Sequence, residues 1–265
     1  MSSKLLYAVA EGVATITLNR PEVLNAFDAE MTAALQEALK NAERDAVVRC
    51  VVLTGAGRGF SAGQDISVMA DAYKDGTTNN VHYGEHIRAT FNPIVSKLRN
   101  MEKPVIGAIN GVAAGAGLGV AAACDLRFAA DNARFASAFV KIGLAPDSGL
   151  GYTLPRLVGM ARALEFTFSG DPIDAATAER WGLVNRVYPD DKLLSETQAY
   201  AAKLAQGATR AIGLTKRVLN RSLDMGMDEL LEYEALIQEA AGHTADHLEG
   251  VQAFLQKRPA QFKGQ

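Results

Sequence analysis

The 265-residue chain predicts an α/β fold closed by a helical C-terminal section. Three observations carry that expectation. Short apolar runs at Cys50–Thr54, Val105–Ile109 and Leu126–Ala130 alternate with stretches of helical periodicity, the pattern of strands and helices sharing one core. Two glycine-rich loops, Gly55 to Asp65 and Asn110 to Gly119, each follow an apolar run and hand over to a helical pattern. From Ala175 onward helical patterns dominate.

Taken in order, Leu5–Val9 and Val13–Leu18 flank Glu11-Gly12 and predict a β-hairpin, which Asn19-Arg20-Pro21 ends. Asp28 is placed to cap a helix running to about Arg44, with Met31, Leu35, Ala38, Leu39 and Ala42 on one face. Cys50–Thr54 reads as a buried strand, and a helix is expected to begin near Asp65. The polar, breaker-rich run from Lys74 to Asn80 predicts a mobile loop. A helix over His82–Asn100 follows, with Pro93 as a kink or break. Helices are then expected at Asp191–Gln206, Thr209–Leu223, Asp228–Ala241 and Thr244–Arg258. Leu230, Leu231, Tyr233, Leu236 and Ile237 give this tail more apolar surface than it can bury alone, so it must cover the core or pack on another subunit. The expected organisation is a core of residues 1–190 and a helical covering region of residues 191–265.

Composition narrows the function classes. A net charge of −3 with scattered basic residues gives no footprint for nucleic acid. Hydrophobic content of 48% with 22% charged residues is ordinary for an enzyme-sized soluble protein. Cys50 and Cys124 lack metal-type spacing and read as buried, reduced thiols. Met1-Ser2-Ser3-Lys4 shows no signal-peptide pattern, and the apolar stretch from Gly111 to Cys124 is too short and glycine-rich to span a bilayer. A cytoplasmic protein without membrane contact is expected.

Glycine lets a backbone approach a ligand closely, and a helix N-terminus offers unpaired N–H donors. Two such loops can aim one amide each at a single oxygen, the arrangement of an oxyanion hole; tight packing turns are the plainer alternative. Asp147 lies in the apolar, glycine-flanked segment Gly143–Gly149. Desolvation there would raise its pKa toward values useful for proton transfer, although an Asp ahead of a helix at Ser148–Val158 also fits an N-cap. Asp65 reads as a cap and Asp125 as a structural hydrogen-bonding group. His243 and His247 share helical spacing on what looks like a solvated face, and His82 and His86 read as surface or pocket-wall residues, so no metal site is expected. Ser61 and Ser148 lack a Gly-x-Ser-x-Gly elbow and recognisable partners, which argues against a covalent hydrolase. The first glycine loop misses the dinucleotide register because position 60 is Phe, and no P-loop Lys follows either loop.

Across nearly its whole length the chain resembles the enoyl-CoA hydratase/isomerase (crotonase) superfamily. The matching segments are Leu18-Asn19-Arg20-Pro21 with Asn25-Ala26, Gly59 to Asp65, Lys103 to Ile106 with Asn110-Gly111, Cys124-Asp125, Ala133-Arg134-Phe135, Leu154 to Gly159, and Glu249-Gly250 with Ala253-Phe254 and Lys257-Arg258. The resemblance implies a spiral of repeated ββα units followed by C-terminal helices, assembled as a homotrimer or a dimer of trimers. It also implies an acyl-CoA substrate, with coenzyme A as part of that substrate and no separate cofactor. Carried over by position, the two oxyanion amides fall on Gln64 and Ala116, each worth roughly 3 kcal/mol to a developing enolate. Val23, Asn25 and Ala26, together with Ala62, Gln64, Asp65 and Ile66, would line the CoA, Gly115 would join the substrate-binding set, and Phe139 with Tyr83 would stand near the acyl pocket. Phe254 and Lys257 match residues that close over the CoA of a neighbouring subunit. Hydratases of the family use two glutamates to hold water; the matching positions here are Gly119 and Phe139, while Asp147 stands where several double-bond-shifting members carry their acid/base, the role the resemblance implies for it. The runs Val112–Gly117 and Gly143–Gly149 are similar to those of members that shift a double bond or rearrange a ring epoxide of the 1,2-epoxyphenylacetyl-CoA type. The expected function is therefore CoA-thioester isomerisation, with hydration of a 2-enoyl-CoA as the alternative and an idle CoA-binding subunit as a third reading.

Overall fold

The computed structural model describes residues 3–67, 76–78 and 81–265. The chain opens with β1 (Leu5–Ala10), β2 (Val13–Leu18), α1 (Ala29–Arg44), β3 (Cys50–Gly55) and β4 (Gly59–Ser61). It continues through α2 (Tyr83–Ala89), α3 (Phe91–Asn100), β5 (Val105–Ile109), β6 (Val112–Ala114), α4 (Ala116–Ala123), β7 (Leu126–Ala130) and β8 (Arg134–Ala136). Next come α5 (Leu150–Val158), α6 (Met160–Ser169), β9 (Ile173–Asp174), α7 (Ala175–Trp181) and β10 (Arg186–Tyr188). Four helices close the chain: α8 (Asp190–Ala205), α9 (Thr209–Arg221), α10 (Met227–Gly242) and α11 (Ala245–Leu255).

Two sheets organise these elements. The larger has six strands in the order β1-β2-β3-β5-β7-β10, and the smaller has four, β4-β6-β8-β9. Only β1 in the first and β9 in the second run antiparallel to their neighbours. Each of the pairs β3–β4, β5–β6 and β7–β8 sends one strand to the large sheet and the next to the small one before a helix follows, so one ββα unit repeats along the chain. This is the crotonase-like spiral.

Both faces of the large sheet are buried, which explains why its strands read as unbroken apolar runs rather than alternating ones. Val51 and Leu53 of β3 and Val105 and Ile109 of β5 point into the main core with the small sheet and α1. Cys50, Val52, Ile106 and Ala108 point the other way, against Leu193, Ala201 and Ala205 of α8. Burial pushes both thiols, Cys50 and Cys124, up to about 12, so they remain protonated and free.

Local chemistry fixes most boundaries where the periodicity puts them. Glu11 (φ 50°) and Gly12 (φ 76°) make the tight turn of the first hairpin. The Asp28 carboxylate accepts from the Met31 amide and caps α1, whose buried face includes Met31, Leu35, Ala38, Leu39 and Ala42. Three expectations are corrected. The helix expected over His82–Asn100 is two helices, and the break falls at Thr90, not at Pro93. Pro93 has no N–H for the Ala89 carbonyl, so the chain turns upstream of it, and the Gln36 side-chain amide donates to the carbonyls of Ala89 (2.9 Å) and Thr90 (2.8 Å) instead. The glycine-rich loops are not purely loops, because they contain β4 and β6. Asp147 does not cap a helix: α5 begins at Leu150 behind Gly149, with no side-chain cap. Beyond Asp65, Ile66 and Ser67 form a short 3₁₀ turn; the rest of the expected helix lies outside the described residues, as do Lys74, Asp75, Asn79 and Asn80 of the expected mobile loop.

Candidate active site

The small sheet decides where the site is. Strands β4, β6 and β8 lie side by side and parallel, so their C-terminal ends open along one edge. From those ends emerge Ala62 and Gln64, Gly115 and Ala116, and Ala138 and Phe139. All six line a cavity of about 280 Å³ whose far wall is Tyr83 and His86 of α2 and Phe91 of α3, with Asp147 facing in from the segment before α5.

Two backbone amides are presented there. Phe27 pairs with the first loop as in a parallel bridge, donating to the Gly63 carbonyl (2.7 Å) and accepting from the Asp65 amide (2.9 Å). The intervening Gln64 amide is thereby turned to the side away from Phe27. Ala116 is the first residue of α4, where an N–H has no intrahelical acceptor and the helix dipole is positive. Among the described residues neither amide has a hydrogen-bond partner. Gly63 brings the two together: at φ 93°, a Cβ on it would lie 2.8 Å from the Ala114 carbonyl oxygen and 3.2 Å from the Ala116 nitrogen. Only a residue without a side chain lets the loops touch here, and the contact keeps Gln64 and Ala116 on the same cavity wall.

Asp147 is the one carboxylate among the described residues lining the cavity. It is half-buried against apolar neighbours, and burial pushes its carboxyl above the usual range, opposed by a 2.7 Å hydrogen bond from the Ser148 hydroxyl and by the charge of His86. His86 also meets the Gln64 side chain, with Nε2 3.0 Å from Oε1. Because that oxygen only accepts, Nε2 carries the hydrogen. Lys141 stands at the rim, paired with Asp171 at 2.9 Å. Gly119 and Phe139 supply no acid. Phe139 is a buried wall of the cavity, and a side chain at Gly119 has no room, since its Cβ would lie 2.6 Å from the Ser148 Cβ.

The remaining expected site residues divide into two groups. Val23, Asn25, Ala26 and Asp65 lie on the two strapped loops beside the cavity without lining it. Arg20 does the strapping, donating to the Ala26 carbonyl (2.7 Å) and to Asp65 Oδ2 (3.0 Å). Asn25, expected to line the CoA, is fully buried, and its side chain is engaged with the Arg20 amide and the carbonyls of Ala56 and Gly59, so that side chain shapes the turn. Asp65 likewise faces the protein: its hydrogen bonds from Ser67 and its ion pair with Arg20 hold its carboxyl below the usual range despite burial, and cap the turn as expected. Phe254, 82% exposed on α11, and Lys257 just beyond it stand away from the cavity on the outer surface of this chain.

Other candidates resolve simply. Ser61 is buried and spends its hydroxyl on the Asn25 carbonyl and the Gly63 amide. Asp125 accepts from the Val105 amide and from Lys216 at 2.7 Å, a structural pair as expected. His243 lies exposed at the end of α10. Arg20 and Ser148 were not assigned site roles from the sequence, and His86, read there as a surface or pocket-wall residue, is a pocket wall. Their spacing carries no signal, and only the fold brings them to the two loops and to Asp147.

Comparison with known proteins places this geometry. The family model for enoyl-CoA hydratase/isomerase matches residues 8–265. The chain is 44% identical over 264 residues to a 1,2-epoxyphenylacetyl-CoA isomerase from Escherichia coli, covering 100% of each. It is 36% identical to a short-chain-enoyl-CoA hydratase from Clostridium acetobutylicum, covering 93% of this chain and 92% of that one. A solved structure of the same family from Mycobacterium abscessus matches with a TM-score of 0.93 at 40% identity, covering 98% of this chain and all of that one. The protein belongs to the enoyl-CoA hydratase/isomerase family and is an enzyme acting on CoA thioesters.

Proposed function

We propose that this enzyme is a CoA-thioester isomerase in which Asp147 moves a proton along the acyl chain while the amides of Gln64 and Ala116 hold the thioester oxygen. The observation that carries the reading is the cavity itself, which among the described residues combines two unpartnered amides with a single carboxylate. Deprotonation beside a thioester places negative charge on the carbonyl oxygen, where paired amides stabilise it. For a 3-enoyl-CoA, Asp147 takes a proton from C2, the electrons shift the double bond to C2–C3, and the same carboxyl returns the proton at C4. The usual two-carboxylate route of water addition needs acids where a hydratase carries its glutamates, and those positions are Gly119 and Phe139.

The CoA runs along the strapped loops, past the exposed side chains of Val23 and Ile66, with Ala26, Ala62 and the buried Asn25 and Asp65 shaping that path. The acyl group enters between Phe139, Phe91 and Tyr83, whose aromatic walls suit a ring. The 44% identity to an enzyme named for an epoxyphenylacetyl-CoA supports a ring-epoxide substrate over a plain alkyl chain. Phe254 and Lys257 close over the CoA of a neighbouring copy in a trimer or a dimer of trimers.

The test is turnover of 3-hexenoyl-CoA and of 1,2-epoxyphenylacetyl-CoA by the protein and by Asp147→Asn. The substitution is expected to cut isomerisation by at least about a hundredfold with CoA binding retained. Near-parental turnover in Asp147→Asn would remove Asp147 from the mechanism. Rapid loss of the conjugated absorbance of crotonyl-CoA would favour hydration, the reaction named for the Clostridium relative. CoA binding with no turnover of any of these would favour an idle subunit.

A further inference from the structure

Ser148 is the residue on which the placement of Asp147 turns. It is 1% exposed and has φ 51°, a left-handed conformation that L-residues adopt at a cost. Its backbone is wedged against α4, where a Cβ on Gly119 would lie 2.6 Å from the Ser148 Cβ and 2.7 Å from its carbonyl oxygen. Its hydroxyl donates to Asp147 Oδ1 at 2.7 Å. One oxygen of the carboxylate is thus bound to the protein, and Oδ2 has no protein partner among the described residues.

We propose that Ser148 is a positioning residue that selects Oδ2 of Asp147 as the oxygen that exchanges protons with the acyl chain, and that Gly119 is the seat that lets it do so. The proposal rests on the reading of Asp147 as the proton-transferring group. A carboxylate rotating freely about its last bond presents either oxygen in either orientation; one tied at Oδ1 presents Oδ2 along a fixed direction, and orientation of this kind lowers a barrier without adding a contact to substrate. The hydroxyl also favours the ionised carboxylate, which is the form that accepts the C2 proton. His86 and Tyr83 of α2 and Lys141 at the rim are the other titratable groups facing this cavity, and none of them hydrogen-bonds the carboxylate.

The experiment compares the full-length protein with Ser148→Ala, Ser148→Gly and Gly119→Ala on 3-hexenoyl-CoA across the acid range. Both serine variants are expected to lose about tenfold or more in kcat, with KM changed less than about twofold. The acidic limb of the kcat profile is expected to move up by about one pH unit, because the lost donor favoured the charged form. Ser148→Gly relieves the left-handed strain and so keeps the test should Ser148→Ala fold poorly. Gly119→Ala keeps both the hydroxyl and the carboxylate but displaces them, and is expected to lose at least about tenfold in kcat. Difference infrared spectroscopy of the Asp147 carboxyl, with Asp147→Asn as the blank, reads the same titration in the free protein without turnover. A kcat loss with an unmoved acidic limb and an unmoved infrared titration would reduce Ser148 to a packing role and overturn the proposal, as would parental kcat in both serine variants. Parental turnover in Gly119→Ala would overturn the seat. Activity surviving in Asp147→Asn would instead overturn the underlying reading of Asp147.

Discussion

Gly63 and Asp147 show how much of this enzyme rests on single residues. A methyl group on Gly63 would sit 2.8 Å from the Ala114 carbonyl oxygen, at a φ of 93° that L-residues rarely adopt. Gly63→Ala must therefore push the two loops apart, and with them the amides of Gln64 and Ala116. Turnover is expected to fall more than about a hundredfold, the effect of losing one oxyanion donor, while far-ultraviolet circular dichroism stays that of the parent. In the proposed mechanism Asp147 is a base only when ionised, and burial has raised its pKa above the ordinary Asp value of about 3.9. Activity is present above the raised pKa and is lost as pH falls through it. The acidic limb of kcat/KM should accordingly lie above the free-aspartate value, and a limb at or below that value would show that Asp147 is not the group titrating. Asp147 was visible in the sequence as an acid in an apolar segment. Its distinction from a helix cap was not, because that depends on α5 beginning two residues later than a cap at 147 requires.

Short elements were the ones the sequence concealed. Strands β4, β6 and β8 have three residues each, too few to show a period, and they exist only because each pairs with a neighbour about 20 to 50 residues distant. The longer strands β3, β5 and β7 and the helix α1 were legible, since burial on both faces or on one stripe writes itself into composition. The split of α2 from α3 was misplaced by three residues because a proline acts on the carbonyl four positions before it. At the other end, α11 is closed by a strap in which Glu249 receives Arg258 (2.6 and 2.8 Å) and the Gln261 amide (2.8 Å). The Arg258 partner holds the Glu249 carboxyl down to about 2. A carboxylate with a depressed folded pKa contributes fully above its unfolded value, about 4.3, and loses that contribution as pH falls toward 2. Hydrogen exchange at the Gln261 amide should therefore accelerate between about pH 4.3 and 2, and Glu249→Gln should make it fast already at neutral pH. Slow, pH-independent exchange in the parent after correction for intrinsic rates would show that the strap does not depend on this pair.

Across the whole molecule, the large sheet has its two faces covered, but the C-terminal helices are left with apolar surface uncovered. Helix α10 has no buried residue, and Leu219, Met227 and Leu231 are 62%, 72% and 53% exposed where α9 and α10 meet. In the proposed trimer, apolar side chains grouped in this way are the expected interface between subunits. Leu231→Asp is expected to shift sedimentation velocity toward the monomer, and a parental sedimentation profile would place the interface elsewhere. None of the described helices is long and apolar enough to cross a membrane.

What the sequence determined by itself was the class of fold, the major strands and helices, the family, and the residue types with chemical promise: two glycine loops and one isolated acid. These follow from local rules, because periodicity, capping and glycine placement are each set within a few residues. The tertiary structure decided convergence. Parallel pairing of β4, β6 and β8 brings residues 64, 116 and 139 to one edge, and the wedge of Ser148 against Gly119 turns Asp147 toward them. Such contacts join positions tens of residues apart, and no local pattern encodes them; they are settled only when the strands pair and the core closes.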